Sequence, residues 1–146
     1  TPATWAGGEP VIFLLDSGRP RQTGPLVQWF LEKSRQADYR RRLESDLLPA
    51  HERLLAAWAR GEQEPFWEAL AQVSAFQLEW MQPMIPEHLH SLWANTFTEK
   101  KVLFKICGAG GGGYLLGFAP TKTAALEQFG SHSLVFPFEQ NVLVEK

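Results

Sequence analysis

Five glycines fall within six positions in the stretch Gly108-Ala109-Gly110-Gly111-Gly112-Gly113, between the apolar runs KKVLFKIC and YLLGFA. Glycine costs roughly 0.5–1 kcal/mol relative to alanine inside a regular element. A cluster of this kind therefore marks either backbone geometry that side chains forbid or an object that must come close to the main chain. A phosphate is one such object, because successive N–H groups can form a concave anion site. A structural hairpin is the other reading, although two-residue hairpins need only one or two such residues.

Known phosphate-loop patterns narrow the choice. Gly108, Gly110 and Gly113 satisfy G-x-G-x-x-G in letters, and Glu127 lies near the distance of a ribose-binding acid. That fingerprint must open a helix directly after a strand, whereas YLLGFA reads as a second strand. The pattern G-x-x-x-x-G-K-[ST] fails because Tyr114 stands where lysine is required. The other chemistry-bearing residues point to surfaces. His88 and His90 are two apart and would face different sides of a helix, His51 and His132 are isolated, and no H-E-x-x-H spacing occurs, so no metal site is predicted. Arg35, Arg40, Arg41 and Arg42 are interleaved with Asp38, Glu44 and Asp46, as on a solvated helix with ion pairs rather than a nucleic-acid patch. Lys105 alternates with apolar neighbours and reads as facing solvent.

The elements that must position these residues follow from periodicity. PVIFLLDSG, residues 10–18, is a short apolar run bounded by Pro and Gly and predicts a strand. GRPRQTGP is a turn, and the chain from Leu26 to about Met81 is mostly helical, with Gly61 as the stop of one helix and Pro65 in the first turn of the next. Pro83 breaks that helix and a shorter one starts near Pro86. KKVLFKIC and YLLGFA are strands around the glycines, and residues 121–130 form a short helix capped by Thr121 and stopped by Gly130. SLVFPFE, residues 133–139, is the last predicted strand. The order β-ααα-β-β-α-β predicts an α+β fold with helices on one face of a mainly antiparallel sheet.

Composition sets the frame around this pattern. The chain has 146 residues, enough for one domain with its own core, and 45% hydrophobic against 21% charged residues is a globular composition. A net charge of −2 gives no pull toward nucleic acid. No run approaches the roughly 18 apolar residues of a membrane span, and the first residues lack a signal-peptide pattern. The single cysteine, Cys107, excludes an internal disulfide and fits a reducing cytoplasm. Position 1 is Thr rather than Met, which suggests a piece of a longer or processed chain.

KICGAGGGGYLLGF resembles the third motif of the GHMP kinases, the group of galactokinase, homoserine kinase, mevalonate kinase and phosphomevalonate kinase. Cys107 stands where Thr is more common. FLLDSGRPRQTGPLV, residues 13–27, resembles a mevalonate kinase segment in which a strand ends in Asp-Thr or Asn-Thr, followed by a basic residue, Thr and a helix; here Ser17 replaces the first Thr. MIPEHLHSLW adds a likeness to bacterial mevalonate kinase-like proteins, so the matches span residues 10–119.

The resemblance implies that residues 1–146 form a GHMP carboxyl-terminal domain, a ferredoxin-like α/β sandwich covering one side of an active site. It implies ATP and Mg²⁺ in the intact enzyme, a phosphate loop at Gly108, Ala109, Gly110, Gly111, Gly112 and Gly113, and mevalonate as the acceptor. Arg21 and Thr23 are then the substrate-side residues, with Asp16 orienting Arg21. The residues alone also allow a turn arginine, a helix-capping threonine and a turn-satisfying aspartate. The family's P-x-x-x-G-L-G-S-S loop and its catalytic Asp and Lys are not matched, since the only aspartates are Asp16, Asp38 and Asp46. The catalytic and Mg²⁺-binding groups are therefore expected in an amino-terminal partner domain, and the chain by itself is expected to be inactive and prone to self-association. A noncatalytic ligand-binding or interaction module, or a galactokinase-like or heptose kinase-like domain, is the alternative.

Overall fold

A computed structural model of the chain describes Trp5 and residues 8–20, 23–99, 102–107 and 110–138. Strand β1, Val11–Asp16, pairs antiparallel along its whole length with β3, Tyr114–Ala119, in a register that sets Val11 opposite Ala119 and Asp16 opposite Tyr114. Strand β2, Leu103–Ile106, pairs with the other side of β3, and the two-residue β4, Leu134–Val135, pairs with Leu15 and Leu14. The sheet order is β2-β3-β1-β4 with every neighbouring pair antiparallel. This is the ferredoxin-like arrangement of two interleaved β-α-β units. The last strand is shorter than its sequence predicts, because Pro137 has no N–H to donate and the chain turns at Pro137 and Phe138.

Between β1 and β2 lie five α-helices: α1 Thr23–Ser34, α2 Ala37–Arg42, α3 Leu48–Arg60, α4 Gln63–Trp80 and α5 His90–Glu99. A π-helical turn, Leu43–Leu47, joins α2 to α3. Gly61 ends α3 in the left-handed region at φ 67°, and the Glu62 N–H returns to the Ala57 carbonyl at 3.0 Å, so α3 and α4 form a tight hairpin. Helix α6, Lys122–Phe129, starts where Thr121 Oγ1 accepts the Ala124 N–H at 3.0 Å. The Arg-rich segment pairs as its spacing predicts, Arg41 with Asp38 and Arg42 with Asp46.

The sheet is covered on both faces, where the sequence order suggested one. Phe13, Leu15, Phe104, Ile106 and Leu115 point to one face and pack with Trp93 of α5 and Phe129 of α6. Leu103 and Phe118 point to the other and meet Leu54 and Ala57 of α3 and Phe66 and Leu70 of α4, with the Phe66 and Phe118 rings 5.6 Å apart. The long α3–α4 hairpin thus supplies a second layer that the element order alone does not require.

Helix α4 also closes the exposed edge of β2. The Gln77 Oε1 accepts the buried Ile106 N–H at 2.8 Å, replacing a missing neighbour strand. Gln77→Leu keeps most of the packing and removes the acceptor, so it is expected to cost about 1–3 kcal/mol for the unsatisfied amide. A urea midpoint lowered at unchanged slope would show this; an unchanged midpoint would show that the edge amide finds another partner.

Candidate functional site

Three segments distant in sequence converge at one end of the central strands: the turn after β1 at residues 17–20, the two 3₁₀ turns Gln82–Met84 and Glu87–Leu89, and the glycine loop ahead of β3. Asp16 Oδ1 accepts the Gly18 N–H at 2.9 Å, which closes an Asx turn. Ser17, buried below it, donates its N–H to the Gly113 carbonyl at 2.8 Å, and Gly113 returns its N–H to the Arg19 carbonyl at 2.7 Å. Ser17 Oγ accepts the Arg19 N–H at 3.2 Å. The Gly111 N–H donates to the Met84 carbonyl at 2.6 Å.

Two histidines brace this assembly. His88 Nε2 donates to the Ser17 carbonyl at 2.9 Å, joining residues 71 positions apart, and His90 Nε2 donates to the Ile85 carbonyl at 2.8 Å. Because carbonyls only accept, Nε2 carries a proton in each ring. No sequence signal marked these histidines as braces beyond their place between Pro86 and an apolar helix.

The geometry answers why glycines are required here. Gly110, Gly111 and Gly113 have φ of 76°, 78° and 66°. A Cβ on Gly110 would overlap the Met84 carbonyl oxygen, and one on Gly112 would overlap that of Pro20. Close approach of three backbones and left-handed conformation together exclude side chains. Two of the loop's N–H groups, those of Gly111 and Gly113, are thereby engaged by protein carbonyls. An anion cannot use them while those bonds stand. Gly111 and Gly113 remain partly exposed, so the loop offers a side-chain-free surface to an approaching group.

Of the residues singled out from sequence, the structure brings Gly110 to Gly113 and Asp16 together. Asp16 is exposed at the end of β1, and Thr23 is the exposed first residue of α1. Arg21, Gly108 and Ala109 lie outside the described residues. Lys105 departs from expectation: it projects to the face covered by α3 and is largely enclosed, so burial pushes its ammonium below the usual lysine range, against a smaller opposing effect of Cys107. His51 of α3 is lowered too, first by burial and then by the Lys105 charge. Among the described residues no group of three or more His, Cys, Asp or Glu could hold a metal ion, and no helix is long and apolar enough to cross a membrane.

The order of strands, the two helices α5 and α6 on one face and the glycine loop between β2 and β3 define a ferredoxin-like α+β domain, a fold found also in a mevalonate kinase and a phosphomevalonate kinase. Its fold is shared with Streptococcus pneumoniae phosphomevalonate kinase at a TM-score of 0.66 and 15% identity, over 87% of this chain and 39% of that one. The L. major mevalonate kinase in complex with R-mevalonate gives 0.67 at 15% identity over 92% and 44%, and a Lin0012 protein from Listeria innocua gives 0.73 at 17% over 90% and 40%. The Streptococcus enzyme in complex with phosphomevalonate and AMPPNP gives 0.64 at 17% identity over 87% and 36%. The chain thus spans well under half the length of these proteins. No family model and no curated protein matches the sequence.

Proposed function

We propose that this chain is the carboxyl-terminal part of an ATP-dependent small-molecule kinase with mevalonate as its acceptor. One observation carries the reading: the Gly110–Gly113 loop is pinned beside the Asp16–Pro20 turn, at the same end of a fold shared with mevalonate and phosphomevalonate kinases. Phosphoryl transfer depends on positioning and on stabilising charge at the transferring group, for which ATP brings the phosphoryl group and Mg²⁺ neutralises its oxygens. The loop's part is to hold a rigid, side-chain-free wall against the nucleotide phosphates. Arg21 supplies a permanent, forked positive charge for an anionic acceptor, and Thr23 a hydroxyl at the head of α1. Asp16 shapes the turn that leads to them through its bond to Gly18. The catalytic base and the Mg²⁺ ligands come from an upstream domain, in a reducing, cytoplasmic setting that suits the single cysteine.

The engagement of the Gly111 and Gly113 N–H groups favours a second reading, in which the loop only braces the domain and the chain is a noncatalytic binding module. A panel of mevalonate, phosphomevalonate, galactose and homoserine with ATP separates the two. The protein with its upstream region is expected to phosphorylate mevalonate, and this chain alone is expected to phosphorylate none of the four. Turnover by this chain alone would overturn the divided-site reading, galactose turnover without mevalonate turnover would overturn the acceptor, and no turnover in either form would favour the binding module.

A further inference from the structure

A cleft of about 520 Å³ opens between the end of α1, helix α2 with the π-helical turn that follows it, and the end of α4. It shares no residue with the glycine loop or with the turn at residues 17–20. Three cationic side chains line it: Lys33 from the last turn of α1, and Arg41 and Arg42 from α2. Its aromatic wall is made of Tyr39 and Trp80. The hydroxyl of the buried Tyr39 donates to the Trp80 carbonyl at 2.8 Å, which fastens α2 to the end of α4 and fixes that wall. The turn Leu43–Leu47 adds Ser45 and Asp46 to the rim, and π-helical turns are frequent at functional sites.

Rings hold two of these cations in place, and carboxylates hold them only weakly. The Arg42 guanidinium lies 4.5 Å from the Trp80 ring centroid, and the Lys33 ammonium lies 5.5 Å from that of Tyr39. A guanidinium stacked on a ring keeps its in-plane N–H groups for other partners. Among the described residues Arg42 donates only to Asp46, at 3.5 Å, which is long for a charge-assisted bond. Lys33 has no ion-pair partner among them. Arg41 donates to Asp38 at 3.0 Å, but these two side chains are 71% and 93% exposed, and pairs so exposed are weak. The donors of three cations are thus open to a ligand that brings more charge than one carboxylate. A phosphate group brings nearly two charges and three strong acceptor oxygens, and the arginine fork matches its geometry. The chain as a whole carries a net charge of −2, yet this cleft sets three cations against the two carboxylates Asp38 and Asp46.

We propose that this cleft binds the phosphate group of a small ligand through Lys33, Arg41 and Arg42. Asp38 and Asp46 hold the two arginines in the empty cleft and give way to water as the phosphate takes their place. The site does not rest on the kinase reading. The test uses this chain labelled with ¹⁵N and titrated with inorganic pyrophosphate, with acetate and with sodium chloride at matched ionic strength. The side-chain N–H signal of Arg42, assigned by its absence in Arg42→Lys, and the indole signal of Trp80, assigned by its absence in Trp80→Phe, are expected to shift and saturate with pyrophosphate. Lys33→Met and Arg41→Gln are each expected to weaken that binding about tenfold or more. Arg60→Gln, which removes the same charge from an exposed position outside the cleft, is expected to leave it unchanged. Arg42→Lys is expected to bind more weakly than the wild type because it keeps the charge and loses the fork. Signals that do not saturate, or that respond equally to chloride, overturn the site. So does a loss in Arg60→Gln equal to those in Lys33→Met and Arg41→Gln, or undiminished binding in both of the latter. Acetate binding as tight as that of pyrophosphate overturns the assignment to phosphate.

Discussion

Gly112→Ala is expected to destabilise the domain by about 3–5 kcal/mol. Gly112 is buried and does not occupy the left-handed region, so the whole effect is steric. The new Cβ would overlap the Pro20 carbonyl oxygen and stand 2.9 Å from that of Arg19. These are backbone atoms of a turn that is held by its own reciprocal bonds to Gly113, so no flexible side chain can move aside. Overpacking of this kind costs roughly 1–3 kcal/mol, and the two bonds between Gly113 and the turn add roughly 0.5–1.5 kcal/mol each if they open. Gly18 supplies the control. Its φ is 75° but nothing lies within 4 Å of a Cβ built there, so Gly18→Ala should cost only about 1–2 kcal/mol for the left-handed backbone. Urea unfolding of the two variants checks the order. Equal losses would mean that the loop and the turn are not in rigid contact, and the loop could then open its N–H groups to an anion.

The contrast between those glycines marks what the sequence could and could not tell. A run of five glycines between two apolar runs announces a special backbone, and the strands around it, the Thr121 cap and the Gly61 stop are all local chemistry readable within a few residues. The partners of the loop are not local. Gly110 needs to be glycine because of Met84 and Gly112 because of Pro20, and the His88 bond to Ser17 joins residues 71 apart. Lys105 was misread for a related reason. Alternation in KKVLFKIC assigns one strand face to water only if that face is uncovered, and the α3–α4 hairpin covers it. Helical periodicity predicted those helices without predicting which sheet face they would take.

Phe104→Ala is expected to cost about 4 kcal/mol, within the range for removing a buried aromatic ring. Phe104 is fully buried in β2, with its ring centroid 5.2 Å from Phe129, 5.8 Å from Trp93 and 6.0 Å from Phe13. It is therefore the side chain that fastens α5 and α6 to the sheet at once. Gly117, opposite Phe104 on β3, leaves its space to the Phe13 ring, so no β-carbon from β3 can fill the hole. Phe104→Leu retains much of the volume and should lose only about half as much. Hydrogen exchange separates this variant from Gly112→Ala, because loss of a shared core residue lowers the free energy of global opening, whereas a local clash lowers that of a sub-region. Phe104→Ala should reduce protection evenly in β1, β2 and β3, while Gly112→Ala should first release the Ser17, Gly111 and Gly113 amides. Even loss in both variants would show that the glycine loop and the sheet open as one unit, and the wall proposed against the phosphates would then be no more mobile than the core itself.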